Sequence, residues 1–228
     1  MVNDLAMILI RFPNLRLLGL DVADIPHRPL LGNLLVRIAT RFKHLQEEKG
    51  TSVARLQLQE LILGRATASL TAHPGTPGNL HELTDLSKLR SLTVLNGGRA
   101  FWDDRLVFLN HNLFLQASNL KSLSVDLFDR DVAALIRALS PYGSLQDIEI
   151  RSVLDCKPRQ LDTYRPIAWL RGSWRRVLVG GRSSDRCPEN IGKEILDTLS
   201  SRSPKVEEIG LPYIRWVGSS FYLRLYTY

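Results

Sequence analysis

The chain has 228 residues and a mass of 25.8 kDa, 44% of them apolar and 23% charged, enough to bury a substantial core as one large domain or two small ones. No apolar run approaches the roughly 18 to 20 residues of a membrane-spanning helix, and the apolar stretch Leu5 to Ile10, with Asp4 before it and no small-residue cleavage site after it, does not read as a signal peptide. The formal charge is +7, and +6 of it falls between Arg151 and Arg186, where nine basic residues meet three acids.

Leucine is in excess: 41 of 228 residues, about 18%. Two cysteines, Cys156 and Cys187, are too few for a disulfide scaffold and have no metal-ligand spacing, so they read as reduced thiols. No Asn-x-Ser/Thr sequon occurs. Cysteine usage and the missing sequon together point to the cytosol or nucleus.

Taken in chain order, the leucines fall into a recurring pattern, apolar-x-x-apolar-x-apolar. It appears at Leu15/Leu18/Leu20, Leu58/Leu61/Leu63, Leu89/Leu92/Val94, Leu120/Leu123/Val125, Leu145/Ile148/Ile150, Trp174/Val177/Val179 and Val206/Ile209/Leu211. The middle positions are 43, 31, 31, 25, 29 and 32 residues apart. Chance matches are common in a chain this apolar; the near-even spacing and the preceding segments carry the signal.

Those segments have helical period. Leu5, Ile8, Leu9 and Phe12 form a stripe behind an Asn3/Asp4 start, and Leu31, Leu34, Leu35, Ile38, Phe42 and Leu45 form a longer one. Gln46 to Ser52 then makes a polar turn, and His73 to Gly78, with paired Pro and Gly, is a loop. Leu106, Leu109 and Leu113 follow Asp103 and Asp104, and Val132, Leu135, Ile136 and Leu139 follow Asp129. Pro166 to Leu170 gives barely one turn; Pro188 and Glu189 open a helix with Ile191, Ile195 and Leu199 inside. The triplets themselves alternate toward their ends, as in Leu123-Ser124-Val125, which is the period of a half-buried strand. Each repeat therefore reads as helix, turn, short strand. About seven of them stack into an α/β solenoid with a parallel sheet on its concave face.

Phrases such as Pro13-Asn14-Leu15-Arg16-Leu17-Leu18-Gly19-Leu20 and Ser118-Asn119-Leu120-Lys121-Ser122-Leu123-Ser124-Val125 resemble the leucine-rich-repeat family, most of all the irregular repeats that follow the F-box in fungal F-box proteins. The resemblance covers nearly the whole chain. It implies a single leucine-rich-repeat domain over residues 1–228, an incomplete array, ending in an aromatic tail over 213–228. The asparagine that usually follows each strand is absent, its places taken by Ala23, Ala66, Gly97, Phe128, Val153, Arg182 and Ile214. No F-box is visible; Ile25 to Ile38 is better read as the second repeat's helix. The tail, with Tyr213, Trp216, Phe221, Tyr222, Tyr226 and Tyr228, is either a strand pairing across the last repeat or the edge of a truncated protein, with truncation preferred.

No enzyme constellation emerges. Phosphate-loop, dinucleotide, H-E-x-x-H and G-x-S-x-G motifs are missing. Gly97-Gly98 and Gly180-Gly181 follow predicted strands, where they permit a tight exit turn. His27, His44, His73, His81 and His111 lie in different repeats, and the pairs Glu47/Glu48, Asp103/Asp104 and Glu207/Glu208 point different ways. The expectation is therefore a non-catalytic protein-protein interaction scaffold without cofactor or metal, the substrate-recognition part of an F-box-type ubiquitin ligase receptor by resemblance. In that case the ligase adaptor would be reached through a segment outside this sequence. A stand-alone ribonuclease-inhibitor-like regulator of an enzyme or GTPase is the alternative. A nucleic-acid binder using Arg151 to Arg186 is the third.

The register of the triplets assigns two outward columns. One is Gly19, Ile62, Thr93, Ser124, Glu149, Leu178, Gly210; the other is Leu17, Glu60, Ser91, Ser122, Asp147, Arg176, Glu208. Partner contact is expected where charge and apolar surface meet, at Asp147, Glu149, Arg176 and Leu178, with Arg151 and Arg175 assisting. Reversing the charges of Glu149 and Arg176 is expected to abolish capture without lowering the melting temperature.

Overall fold

The computed structural model describes residues 2–20, 34–50, 55–63, 83–95, 114, 116–127, 130–152, 174–180, 189–202, 205–211, 214–217 and 220–223. The chain divides into two compact units, Met1–Leu120 and Lys121–Tyr228.

The N-terminal unit contains α1 (Val2–Arg11), β1 (Leu17–Leu20), α2 (Leu34–Glu48), β2 (Glu60–Leu63), the 3-10 turn η1 (Leu86–Lys88) and β3 (Ser91–Val94). Asp4 in the first turn of α1 and Arg11 in its last turn complement the helix dipole. Asn3 and Asp4 thus lie inside the helix instead of capping it. The apolar stripe of α1 is also narrower than its period suggests. Ala6 and Leu9 are buried, but Ile8 and Phe12 are 51% and 58% exposed; among the described helices the one packed against α1 is α2. On α2 the stripe holds: Ile38, Ala39, Phe42 and Leu45 are buried. The helix stops where the Gly50 amide donates to the Glu47 carbonyl at 3.0 Å. Gly50 takes φ +63°, a left-handed value that only glycine adopts at little cost.

The strands β1, β2 and β3 pair in parallel, with Leu18, Leu61 and Leu92 in one register row and Leu20, Leu63 and Val94 in another. All six are buried, as are Leu58 and Leu89; Leu15, the first member of its triplet, is only half-buried. Each fully buried leucine contributes roughly 1.5 to 3 kcal/mol relative to an exposed one. These rows make up much of the apolar core among the described residues of the unit. Thr84 ties down the approach to β3, donating its hydroxyl to the buried Leu56 carbonyl at 2.9 Å. Asp85 caps η1 by accepting from the amide and hydroxyl of Ser87 at 3.1 and 2.7 Å.

The C-terminal unit contains β4 (Ser122–Leu127), α3 (Arg130–Leu139), the 3-10 turn η2 (Ser140–Tyr142), β5 (Asp147–Ser152), β6 (Arg176–Val179), α4 (Glu189–Arg202), β7 (Glu208–Leu211), β8 (Ile214–Val217) and β9 (Ser220–Leu223). The strands β4 to β7 pair in parallel in chain order. The α3 stripe is as its period predicts: Val132, Leu135, Ile136 and Leu139 are all buried. Leu123, Ile148, Val177 and Ile209 form a buried row on the core face of the sheet. The aromatic tail supplies strands: β8 pairs antiparallel with β7, and β9 antiparallel with β8.

The protein is thus an α/β fold with seven parallel strands, three in the first unit and four in the second. Among the described residues no helix is long and apolar enough to cross a membrane. The segments around His73–Gly78, Asp103–Leu113, Cys156, Pro166–Leu170 and Cys187 lie outside the described residues, as do the asparagine-ladder positions Ala23, Ala66, Gly97, Phe128, Val153, Arg182 and the second glycine pair's Gly181.

Candidate functional site on the strand face

One backbone device recurs at five strand entries, those of β2, β3, β5, β6 and β7. The Arg16 carbonyl accepts from the amides of both Gln59 and Glu60, and the Gln59 carbonyl accepts from Arg90 and Ser91. In the second unit the Lys121 carbonyl accepts from Gln146 and Asp147, that of Gln146 from Arg175 and Arg176, and that of Arg175 from Glu207 and Glu208. A carbonyl has two lone pairs, so this double acceptance satisfies both amides of the incoming strand. These bonds are made by backbone groups and hold whatever side chains face away from the core.

Within each unit the register rows match those read from the triplets. Leu17, Glu60 and Ser91 share one row, and Gly19, Ile62 and Thr93 the next. In the second unit Ser122, Asp147, Arg176 and Glu208 are in register, followed by Ser124, Glu149, Leu178 and Gly210. All six expected site residues are therefore brought together, on or at the entry of two adjacent strands, β5 and β6.

Their interactions differ from a simple solvated face. Arg175 Nη2 donates to Asp147 Oδ2 at 2.8 Å and Nε to Oδ1 at 3.2 Å, a two-pronged charge-assisted contact. The Asp147 side chain keeps only 12% of its exposure beneath it, whereas that of Arg175 keeps 51%. Asp147 is therefore not an open partner contact: it is the anchor that aims Arg175, the residue given only an assisting role by sequence. Hydrogen bonding to Asp147, its charge, and further off the charge of Glu207 hold the Arg175 guanidinium above its usual pKa. Glu149 is also engaged, accepting from the buried hydroxyl of Ser124 at 2.9 Å and pairing with Arg151 at 3.6 Å. Charge reversal at Glu149 would strand the Ser124 hydroxyl, so the expectation of an unchanged melting temperature does not hold for it.

Arg176 is different. It stands in register between Asp147 and Glu208, half-buried, and among the described residues no hydrogen bond or ion pair engages its side chain. Beside it Leu178 leans over the Gly210 backbone, where a Cβ would fall 2.9 Å from Leu178 Cδ2. Gly180 has a third role. A Cβ there would sit 2.5 Å from the Arg151 carbonyl oxygen, and its φ is not left-handed, so close approach of β5 and β6 requires the glycine, not an exit turn.

The result is a small surface with a fixed cation over a buried carboxylate, a second half-buried cation, and a leucine seated on glycine. Ser124 and Gly210 are in contact with it, although charge and apolarity did not single them out. Their signal lay in the register, which sets Ser124 beside Glu149 and Gly210 beside Leu178. Among the described residues no group of three or more His, Cys, Asp or Glu side chains could hold a metal. His44, the one histidine among the described residues, is an exposed neighbour of Glu47 at 3.6 Å.

No protein-family model matches the sequence, and neither a curated protein nor a solved structure matches it.

Proposed function

We propose that the helix-turn-strand elements form a leucine-rich-repeat solenoid and that the chain is a non-catalytic protein-binding scaffold whose contact surface is the strand face of β5 and β6. The observation that carries this reading is the clustering of Arg175, Arg176, Arg151 and Leu178 on two adjacent strands over Asp147 and Glu149. Arginine and an apolar side chain close together are the usual anchors of an interface. The shared carbonyl ladder supports the repeat assignment, since the same two-amide acceptance recurs at five strand entries while the outward residues change at each. The partner is a protein with a carboxylate set beside apolar surface, matching Arg176 and Leu178. By the resemblance to fungal F-box proteins, it is a substrate of a ubiquitin ligase whose F-box lies outside this sequence, in the cytosol or nucleus.

Arg176→Gln is the cleanest probe, because it removes no side-chain hydrogen bond or ion pair among the described residues and sets no third acid between Asp147 and Glu208. Affinity capture followed by mass spectrometry is expected to recover a reproducible partner with the natural chain and to lose it with Arg176→Gln at a melting temperature changed little. Recovery of no ligase subunit and no stable protein partner, or capture indifferent to Arg176→Gln, would sink the reading.

A further inference from the structure

We propose that the free edge of β1 is a self-association surface, at which two copies of the chain pair their β1 strands antiparallel with each Leu17 seated against Gly19 of the second copy. Among the described strands of its unit β1 is the outermost, pairing with β2 on one side. At β2 and β3 the two amides of the strand entry donate to the carbonyl of the preceding strand. The equivalent amides at β1, those of Arg16 and Leu17, have no such acceptor among the described residues. Because the Arg16 carbonyl is turned toward β2, strand alternation turns the amide and carbonyl of both Leu17 and Gly19 toward the open edge. Such an edge is a template for a further strand.

Among the described strand residues of this unit Leu17 is the large apolar side chain left exposed, at 49%, whereas Ile62 on the same face of β2 is half-buried.

The sequence of β1, Leu17-Leu18-Gly19-Leu20, suits its own copy. An antiparallel register centred on Leu18 opposite Leu18 sets Leu17 of each chain opposite Gly19 of the other. That makes each a close pair exchanging two backbone hydrogen bonds, with both side chains on the same sheet face. Gly19 leaves room for this: the nearest atom to a Cβ placed there is Ile62 Cβ, at 3.9 Å. The protein already packs a leucine across strands onto glycine in this manner, at Leu178 and Gly210. A two-fold arrangement closes on itself, buries both edges at once, and is the commonest symmetry of soluble oligomers.

The test is sedimentation velocity of the full chain over a dilution series, with Leu17→Asp and Gly19→Val alongside. The natural chain is expected to show a concentration-dependent monomer-dimer equilibrium, and both variants are expected to remain monomeric. Gly19→Val is the sharper variant, since it adds a strand-favouring side chain whose Cβ meets only ordinary contact with Ile62 in the monomer and obstructs the second copy's Leu17. Its melting temperature in dilute solution should not fall. Hydrogen exchange on the unmodified chain gives an independent readout: the Leu17 and Gly19 amides should exchange fast when dilute and slowly when concentrated. A natural chain that stays monomeric, a dimer that survives either substitution, or exchange at Leu17 and Gly19 that ignores concentration overturns the proposal.

Discussion

The outward faces of the two units are built on the same backbone and differ in almost everything else. In the first, Leu17, Gly19, Glu60, Ile62, Ser91 and Thr93 carry a single charge across three strands. In the second, Asp147, Glu149, Arg176 and Glu208 crowd three strands, and Arg175 and Arg151 close over two of the acids. Both sheets use the same double acceptance at strand entry and the same buried apolar rows. Cohesion is therefore encoded at alternate positions of each strand, and the remaining positions are available for recognition. A substitution at a core position should act alike in both units, whereas one on the outward face should matter in the second far more than in the first.

The largest expected effect tests the shared half of that contrast. Leu123→Asp and Leu61→Asp each place a carboxylate at a position with no exposure, at a cost of several kcal/mol, about 3 or more, for an unpaired buried charge. Circular dichroism and thermal melting should show the two losses to be similar. A folded Leu123→Asp variant with an unchanged melting curve would refute the assigned core face.

Three strand glycines, next in size, separate backbone need from side-chain accommodation. Gly180→Ala drives a Cβ onto the Arg151 carbonyl at 2.5 Å, backbone against backbone, and should cost about 1 to 3 kcal/mol. Gly210→Ala meets only the flexible end of Leu178 and should cost less than about 1 kcal/mol. Gly19→Ala meets ordinary contact at 3.9 Å and should be neutral or stabilising by roughly 0.5 kcal/mol, through the lost freedom of the unfolded chain. A denaturation series in which this order is reversed would remove the claimed close approach of β5 and β6.

Much of this architecture was legible in the sequence, and the reasons for the failures are physical. The triplets and their alternation matched the register of every described parallel pair, because a one-residue slip would turn a whole apolar row outward. Periodicity could not say which stripe residues are covered, because that depends on the neighbouring element: Phe12 and Phe42 have the same chemistry, yet one is 58% exposed and the other 1%. Outward charges were found by position, but their pairing was not. Arg175 and Asp147 are 28 residues apart, and only parallel stacking brings the guanidinium over the carboxylate. Gly180 was noticed as a turn residue, since sequence alone does not reveal a neighbouring carbonyl.

The unequal duties of the two adjacent arginines give a smaller test. Arg175→Ala leaves the shielded Asp147 carboxylate without its two donors and should lower the melting temperature, though by less than Gly180→Ala. Arg176→Ala breaks no side-chain hydrogen bond or ion pair among the described residues and should change melting less than Arg175→Ala. Equal losses from the two would mean that Arg175 is not an anchored side chain, and the second face would then resemble the first.

The smallest expected effect lies in the 3-10 turns that lead into the strands, where the two units differ in the opposite sense. In the first unit η1 begins at Asp85, whose carboxylate accepts two hydrogen bonds from Ser87. In the second, η2 follows Leu139, which offers no side-chain cap, and relies on proline at its start and on Gly143 at φ +64° at its end. The bonds from Ser87 hold the Asp85 carboxyl below its usual pKa, with minor help from Lys88 and Arg55. A carboxyl depressed in the folded state stabilises the fold above its unfolded pKa, and the contribution is lost as pH falls through the depressed value. Asp85→Ala should therefore cost about 0.5 kcal/mol at neutral pH, the low end for a lost cap at an open site, and the gap to the natural chain should close from about pH 4 downward. Urea denaturation of both proteins across that range measures the gap. A gap that persists undiminished in acid would mean that Asp85 acts through its shape and not its charge.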